Sequence, residues 1–126
     1  MADARDPHDF IPLSPVEFEI LLVLATGESH GWGIIKEAES RWHGARGFQT
    51  GTLYRALRRL TADGLVEPAD RRPADDVDGR QRRYFAITAF GRRVAAEEAA
   101  RLEAQVKAAR ARDLLAGAGG GDGGVA

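Results

Sequence analysis

The residues best suited to chemistry lie in residues 50–65, which read TGTLYRALRRLTADGL. At about 100° per residue, the apolar side chains of this segment fall on one face of a helix. That face holds Leu53, Leu57 and Leu60, flanked by Ala56. The opposite face holds Gly51, Arg55 and Arg58, with Thr52 and Arg59 to one side. Solvated helix faces usually mix charges of both signs, because i,i+4 ion pairs stabilise them, and the outward face of this helix is arginine without a nearby carboxylate. Such a face suits the phosphates and guanine edges of a DNA major groove, and a face that is merely solvated is the alternative.

The two ends of this segment carry residues typical of helix termini. Thr50 stands where an N-cap oxygen is needed. Gly64 stands at the C′ position, where the backbone must turn left-handed. The sequence therefore predicts a short helix that is anchored along its leucine face and presents arginines outward.

Composition limits the classes of protein to which the chain can belong. Its 126 residues suit one domain with a modest core. Cysteine is absent, which excludes disulfides, thiolate metal sites and cysteine nucleophiles. The longest apolar run, residues 20–25, is far shorter than the roughly 20 residues that span a bilayer, and the acidic N-terminus lacks an apolar signal core. We therefore expect a cytoplasmic protein without a membrane partner.

The sequence also lacks the common motifs of enzymes. No nucleophile elbow, phosphate-binding loop or zinc-protease motif occurs. The histidines at 8, 30 and 43 show no metal-ligand spacing. The acidic run DDVDG does not fit a calcium loop, because Ala74 and Phe85 occupy its first and twelfth ligand positions. We expect no enzymatic activity, no metal and no cofactor.

The charge of the chain is unevenly distributed. A formal net charge of −1 argues against a generally basic nucleic-acid binder. Residues 50–93, however, hold ten arginines and six acids, a net charge of +4, which leaves −5 on the remainder. Positive charge is therefore concentrated around the candidate helix and the segment that follows it.

The N-terminal part of the chain predicts an arm and then an apolar helix. Residues 1–12 contain two prolines and no periodic pattern, and we expect a mobile arm. Ser14 and Glu17 form a capping box and Pro15 suits the first helical position, so a helix begins there and ends near Gly27. This helix is unusually apolar, and we expect it to be covered on more than one side.

A second helix is expected from Trp32 to about Trp42. It follows a turn over residues 29–31, in which His30 is expected to act as a capping or turn residue. Residues 43–49 form a glycine-broken connector to the arginine-bearing helix. Three short helices joined in this way make a helix-turn-helix arrangement.

The segment after Gly64 predicts a hairpin. Residues 65–67 and 83–87 read as short strands, and Pro68 confines the first of them to an edge or a terminus. The arginines at the base of the long polar loop between them are Arg71, Arg72, Arg80, Arg82 and Arg83. A hairpin that carries arginines directly after such a helix is a wing, which suggests phosphate or minor-groove contact, and a solvated loop is the alternative.

The last helix begins with Thr88 as its cap and is expected to run to about Leu115. Its apolar stripe is narrow, is interrupted at Glu98, and is too long to be buried against so small a domain. Pairing with a second copy of the chain would cover this stripe and the apolar first helix, so we expect a homodimer. The residues expected at this interface are Phe18, Leu22, Phe90, Val94, Leu102 and Val106.

The predicted fold class is mainly α with a small β-hairpin wing. A winged helix-turn-helix domain covers residues 13–88, and a long C-terminal dimerisation helix covers residues 89–115. The glycine-rich tail, residues 116–126, is expected to be disordered.

Four segments together resemble the PadR family of bacterial transcriptional regulators. They are LSPVEFEILLVLA, SHGWGIIKEAE, TGTLYRALRRLTADGLVE and RRYFAITAFGRR, which span roughly residues 13–93. The single C-terminal helix is similar to that of the family's short subgroup. The resemblance implies a winged helix-turn-helix, a homodimer joined largely through that helix, and binding to palindromic operators, usually as a repressor.

The resemblance also implies which residues contact DNA. In this sequence the matching helix residues are Thr50, Gly51, Thr52, Tyr54, Arg55 and Arg58, and Arg59 adjoins them. Tyr54 is expected either to hydrogen-bond a phosphate or to pack inward. The matching wing residues are Arg80, Arg82 and Arg83, in a loop that is longer and more acidic than the family pattern.

Two further possibilities remain open at the level of the sequence. Some PadR proteins release DNA when a flat aromatic ligand binds between the helices of the dimer, so a small-molecule effector is a possible partner. Trp32 and Trp42 are the candidates for contacting it, with core or interface packing as the alternative. The rival function is a winged helix that binds an acidic protein partner through the same arginines.

Overall fold

The computed structural model describes residues 3–41, 49–69 and 83–116. After a 3-10 helix, Pro7–Phe10, the elements are α1 Pro15–Leu24, β1 Ser29–His30, α2 Gly31–Glu39, α3 Thr50–Ala62, β2 Val66–Ala69, β3 Tyr84–Ile87 and α4 Ala89–Ala111. The strands form one antiparallel sheet in the order β1-β3-β2. This mainly helical fold with a small sheet confirms the predicted winged-helix class. Three predicted segments lie outside the described residues. They are the connector between α2 and α3 (42–48), most of the wing loop (70–82), and the tail (117–126).

Helix α1 lies at the centre of the domain. The predicted capping box is confirmed, because the Ser14 hydroxyl accepts from the amide of Glu17 and the Glu17 carboxylate accepts from the amide of Ser14. The helix packs against α2, α3, α4 and β3, and it buries Ile20, Leu21 and Leu24 almost completely. Its apolar composition is therefore explained by contacts on several sides. Its C-terminal turn reaches Gly27, which has a φ of +152°.

The turn predicted over residues 29–31 is in part a strand. Ser29 and His30 pair with Phe85 and Tyr84 of β3, which makes the sheet three-stranded rather than a simple hairpin. A two-residue strand carries no periodic signal, so the sequence could not reveal it. The predicted cap is confirmed, because Nδ1 of His30 accepts from the amide of Gly33 at 3.1 Å. Helix α2 ends at Glu39, before Trp42, which lies outside the described residues.

Helix α3 has the predicted apolar face, with Leu53, Leu57 and Leu60 buried. Its N-terminus differs from the prediction. Gln49 occupies the N-cap position without a side-chain hydrogen bond, and Thr50 is the first helical residue. The prediction had placed Thr50 at the N-cap because its hydroxyl could accept from first-turn amides, and the cap instead lies one residue earlier.

The C-terminal end of α3 follows the prediction closely. Gly64 has a φ of +78° and donates to the carbonyl of Thr61, while Leu65 donates to the carbonyl of Leu60. These two bonds form a Schellman motif, which satisfies carbonyls at the end of the helix. The chain then enters β2, which lies at an edge of the sheet. An edge strand tolerates Pro68, which has no backbone N–H to donate to a neighbouring strand.

Helix α4 begins at the predicted cap, since the Thr88 hydroxyl accepts from the amide of Gly91 at 2.9 Å. It ends at Ala111, short of Leu115. Phe90 and Val94 lie inside the core of the same chain, so core packing replaces the role at a dimer interface that we had expected for them. None of the helices in the described part of the chain is both long and apolar enough to cross a membrane.

Residues 3–12, which we expected to form a mobile arm, pack against α4. Pro7 is buried, and the ring of Phe10 meets the ring of Phe90 edge-to-face at 5.3 Å. The Asp6 side chain caps the 3-10 helix by accepting from the amide of His8. Apolar contacts with α4 thus order residues 3–12, although the sequence of this segment shows no periodic pattern.

Candidate nucleic-acid interface

The exposed face of α3 carries the basic residues predicted from the sequence. The side chains of Arg55, Arg58 and Arg59 are exposed, as are Thr50 and Gly51 at the first turn. Leucines on the opposite side of the helix fix it to the core, so the positively charged face is held on a rigid element.

Two of these arginines are free of acidic neighbours within the described residues. Arg55 donates only to the hydroxyl of Thr52, at 3.3 Å. No ion pair involves Arg58 in the part of the chain that the structure describes. Guanidinium groups without a carboxylate partner keep most of their donors available for an external anion.

Arg59 differs from its two neighbours. Its Nε atom lies 3.8 Å from the carboxylate of Glu17 in α1. The expectation that no carboxylate lies near this arginine face is therefore wrong for Arg59, because the neighbouring carboxylate comes from another helix. The side chain of Arg59 is 77% exposed and the contact is long, so the ion pair is weak.

Tyr54 lies where α3 meets α2. Its hydroxyl rests against Gly31, the first residue of α2, and a Cβ atom at that position would collide with it. Gly31 therefore permits the close approach of the tyrosine. The side chain of Tyr54 still keeps 40% of its surface exposed, so it borders the arginine face rather than filling the core.

A groove of about 530 Å³ separates α3 from the base of the wing. It is lined by Tyr54, Leu57, Arg58, Thr61, Ala62, Pro68, Arg83 and Phe85. The groove brings together Arg58 and Arg83, which are 25 positions apart in the sequence. Sequence reasoning identified both arginines but missed the apolar walls that Pro68 and Phe85 provide. Arg80 and Arg82, the other predicted wing residues, lie outside the described residues.

Trp32 lies on the outer surface of α2. It is 58% exposed, and the ammonium group of Lys36 lies 5.6 Å from the centre of its ring. Core packing within one chain, one of the alternatives for this residue, is therefore wrong. Trp42, the second ligand candidate, falls outside the described residues.

The remaining residues predicted for dimer contact lie on α1 and on the later part of α4. Leu22 and Val106 are exposed, and Phe18 and Leu102 are partly buried. These four are available for contact with a second copy of the chain, unlike Phe90 and Val94.

Comparison with known proteins decides the family. The model of the transcriptional regulator PadR-like family matches residues 20–97, which is more than half of the chain. The chain belongs to this family. The match runs from α1 through the exposed arginine face and the sheet into α4, so the family assignment includes every element of the candidate interface. The protein is therefore a PadR-like transcriptional regulator.

Individual proteins similar to this chain agree with the assignment. Transcriptional regulator Rv3488 of Mycobacterium tuberculosis is 40% identical over 88 residues, which cover 70% of this chain and 76% of that protein. A PadR family transcription regulator from Clostridium difficile R20291 shares the fold with a TM-score of 0.64 at 20% identity, over 75% of this chain and 94% of that one. Bacillus subtilis PadR, solved in complex with operator DNA, has a TM-score of 0.56 at 17% identity, over 68% of this chain and 47% of that one.

Proposed function

We propose that the protein binds double-stranded DNA as a homodimer and represses transcription from a palindromic operator. The observation that carries the proposal is the exposed face of α3, where Arg55 and Arg58 have no acidic partner among the described residues. Such guanidinium groups fit phosphate oxygens and the O6 and N7 atoms of guanine. The presence of operator DNA in the Bacillus subtilis PadR structure supports the same use of this fold.

The proposed contacts divide between α3 and the wing. The residues of α3 that face DNA are Thr50, Gly51, Thr52, Tyr54, Arg55, Arg58 and Arg59. In this arrangement Arg55 and Arg58 enter the major groove. Arg83 contacts a phosphate from the far side of the groove that it shares with Arg58, with Arg80 and Arg82 as further wing contacts.

The dimer is proposed to form through the outer surface of α1 and the later part of α4. Leu22 and Val106 each leave more than a third of their surface exposed in the single chain, and Leu102 remains partly exposed. Burying apolar surface of this kind stabilises an assembly by roughly 25 cal/mol per Å² before the cost of association. A two-fold dimer would present its two α3 helices to half-sites about 34 Å apart, which explains the proposed palindrome.

A small aromatic effector that releases the DNA is part of the same proposal. The exposed ring of Trp32 supports it, because an indole at a surface or interface can stack on a flat ligand. Quenching of tryptophan fluorescence by candidate aromatic compounds, compared between the wild type and Trp32→Phe, would measure such binding directly. Quenching that persists unchanged in Trp32→Phe would exclude Trp32 as the contact.

Binding to duplexes from the region upstream of the gene tests the proposed function. We expect anisotropy of labelled duplexes to report saturable binding at about 50 mM salt, with the affinity falling by roughly 10³-fold or more at about 200 mM. Arg55→Ala/Arg58→Ala should abolish sequence preference, whereas Arg92→Ala, which removes an exposed arginine at the start of α4, should not. Sedimentation of the free protein at the same concentrations should give a dimer.

The rival function predicts a different pattern of binding. Polyglutamate is acidic but has neither bases nor phosphates, and it therefore serves as the control ligand. Tight binding of polyglutamate together with indifference to every duplex would overturn the proposal in favour of an acidic protein partner. A monomer that binds DNA would overturn only the dimeric part.

A further inference from the structure

The turn that ends α3 is fastened from outside the helix at three successive carbonyl groups. The carbonyl of Asp63 accepts from Nη1 of Arg5 at 2.6 Å. The carbonyl of Gly64 accepts from the Thr88 hydroxyl at 2.7 Å, and the carbonyl of Leu65 accepts from the amide of Thr88 at 3.0 Å. Thr88 is the N-cap of α4, so two of the three bonds attach the turn to the start of that helix.

Arg5 provides the third attachment, and its guanidinium is held on several sides. The central carbon of the guanidinium lies 4.1 Å from the ring centre of Phe90 and 5.2 Å from that of Phe10. The Asp3 carboxylate accepts from Nε at 3.0 Å and from Nη2 at 2.7 Å. Stacking on the ring of Phe90 and bidentate pairing with Asp3 fix the plane of the group, so Nη1 is aimed at the turn.

Gly64 allows this approach. A Cβ atom at Gly64 would lie 2.9 Å from Nη2 of Arg5, and the φ of +78° already disfavours any residue with a side chain. The C′ glycine therefore serves the Schellman motif and the contact with Arg5 together.

The segment that carries Arg5 is itself attached along the first turns of α4. The carbonyl of Asp3 accepts from Arg93 at 3.3 Å, and Nε2 of His8 lies 3.0 Å from the Glu97 carboxylate. The edge-to-face contact between the rings of Phe10 and Phe90 is a third attachment, nearest the start of α4. Residues 3–10 thus form a strap that connects the end of α3 to α4.

We propose that Arg5 is a positioning residue for DNA recognition, which fixes the orientation of α3 relative to α4. The inference rests on the proposed function, in which α3 reads DNA and α4 joins the two copies. In such a dimer the angle between α3 and α4 sets the separation of the two reading helices, because each chain contributes one of each. Loosening the end of α3 changes that separation without removing any DNA contact.

The preference for one spacing between half-sites distinguishes a positioning role from a purely structural one. A substitution that only destabilised the fold would weaken binding to all spacings alike. Duplexes are first selected from a random pool by the wild-type protein, and spacers one base pair longer and shorter are then built into the selected site. The ratio of affinities for the selected and the altered spacers measures the discrimination between them. We expect this ratio to be about tenfold smaller in Arg5→Ala than in the wild type, while the salt dependence of binding stays unchanged. Arg5→Lys keeps the charge but not the stacked plane and should lose less, and Arg92→Ala, which removes an exposed arginine at the start of α4, should match the wild type.

Amide hydrogen exchange tests the attachment without DNA. Arg5→Ala should speed exchange at residues 61–65 and leave the amides of α1 at their wild-type rates. Equal acceleration throughout the domain would indicate global destabilisation and would overturn a positioning role. Unchanged exchange at residues 61–65 would overturn it as well.

The remaining outcomes separate this inference from the proposed function. If the wild type selects no duplex at all, the proposed function fails and the inference fails with it. If the wild type selects a site and Arg5→Ala keeps the same spacer preference, only the inference fails. A salt slope reduced by about one unit in Arg5→Ala would make Arg5 a direct phosphate contact, which also contradicts positioning.

Discussion

The carboxylate of Glu98 is buried in the domain and accepts two hydrogen bonds from the guanidinium of Arg101, one turn further along α4. The bonds measure 2.8 Å from Nε and 2.7 Å from Nη2. The amide of Leu13, just before α1, donates to the same carboxylate at 3.3 Å. An acidic residue that interrupts the apolar stripe of α4 therefore joins α4 to the chain that enters α1.

Removing the guanidinium should leave this carboxylate buried without its partner. Arg101→Ala is expected to lower the free energy of unfolding by on the order of 1–3 kcal/mol, measured by urea denaturation at neutral pH. Arg110→Ala removes a similar side chain from an exposed site on α4 and should change stability by less than about 0.5 kcal/mol. Equal effects of the two substitutions would show that the buried pair contributes nothing specific.

The same pair predicts a dependence on pH. Hydrogen bonding from Arg101 is the main cause that lowers the pKa of Glu98 below its usual 4.5. Since the folded-state pKa is depressed, the stabilisation is present above pH 4.5 and is lost as the pH falls through the lower folded-state value. The difference in stability between the wild type and Arg101→Ala should therefore shrink in acid.

Substitution by alanine should have opposite effects on stability at two of the glycines. A Cβ atom at Gly91 would collide with the backbone carbonyl oxygen of Leu65, which cannot move away as a flexible side chain can. We expect Gly91→Ala to destabilise the fold by roughly 1–3 kcal/mol, by the mechanism of overpacking. At Gly51 the nearest atom would be Nη1 of Arg55 at 3.6 Å, an ordinary contact. Gly51→Ala, the matched control, should raise stability by up to about 1 kcal/mol in thermal or urea unfolding.

His8 provides a second pH-sensitive contact, at the strap. A hydrogen bond to Asp6 is the main cause that raises the pKa of His8 above 6.5, and the charge of Glu97 adds to it. Because the folded-state pKa is raised, the contribution to stability is full below pH 6.5 and is lost as the pH rises through the folded-state value. An NMR titration of the imidazole should show the raised pKa, and Glu97→Gln should lower it. An unchanged pKa in that variant would mean that His8 and Glu97 do not meet in solution.

Local signals made several elements predictable. Helix ends are indicated by residues that bond to neighbours within three positions, namely Ser14 with Glu17, Gly64, and Thr88. The leucines of α3 repeat at helical spacing. Each of these features depends only on neighbouring residues, so one sequence reveals it.

Contacts between distant residues were the part that the sequence could not reveal. Nothing in the sequence around Arg5 indicates that it meets Asp63 and Phe90, and nothing in α4 indicates that Glu98 meets Leu13. Of the candidate interface, the exposed arginine face follows from periodicity alone. The ion pair between Arg59 and Glu17 and the groove shared by Arg58 and Arg83 require the tertiary structure.

Arg58 should carry base specificity if it reaches a guanine edge. Its substitution by alanine is then expected to cost roughly 1–3 kcal/mol on the selected operator and to relax the preference at one base pair in each half-site. Binding to a panel of operator variants, each with one position changed, measures both effects. Uniform weakening across the whole panel would instead assign Arg58 to a phosphate.

Arg83 lies across the groove from Arg58 and should show the opposite behaviour. It is exposed immediately before β3 and borders the groove together with Phe85 and Pro68. Because a phosphate contact carries no sequence information, the role proposed for Arg83 implies that Arg83→Ala weakens binding equally on all operator variants. The slope of log affinity against log salt should fall by about one unit. Arg92→Ala, an exposed arginine of α4 that donates to the carbonyl of Ala25, controls for the loss of one positive charge. A slope that changes equally in both variants would reflect net charge alone and would remove Arg83 from the proposed interface.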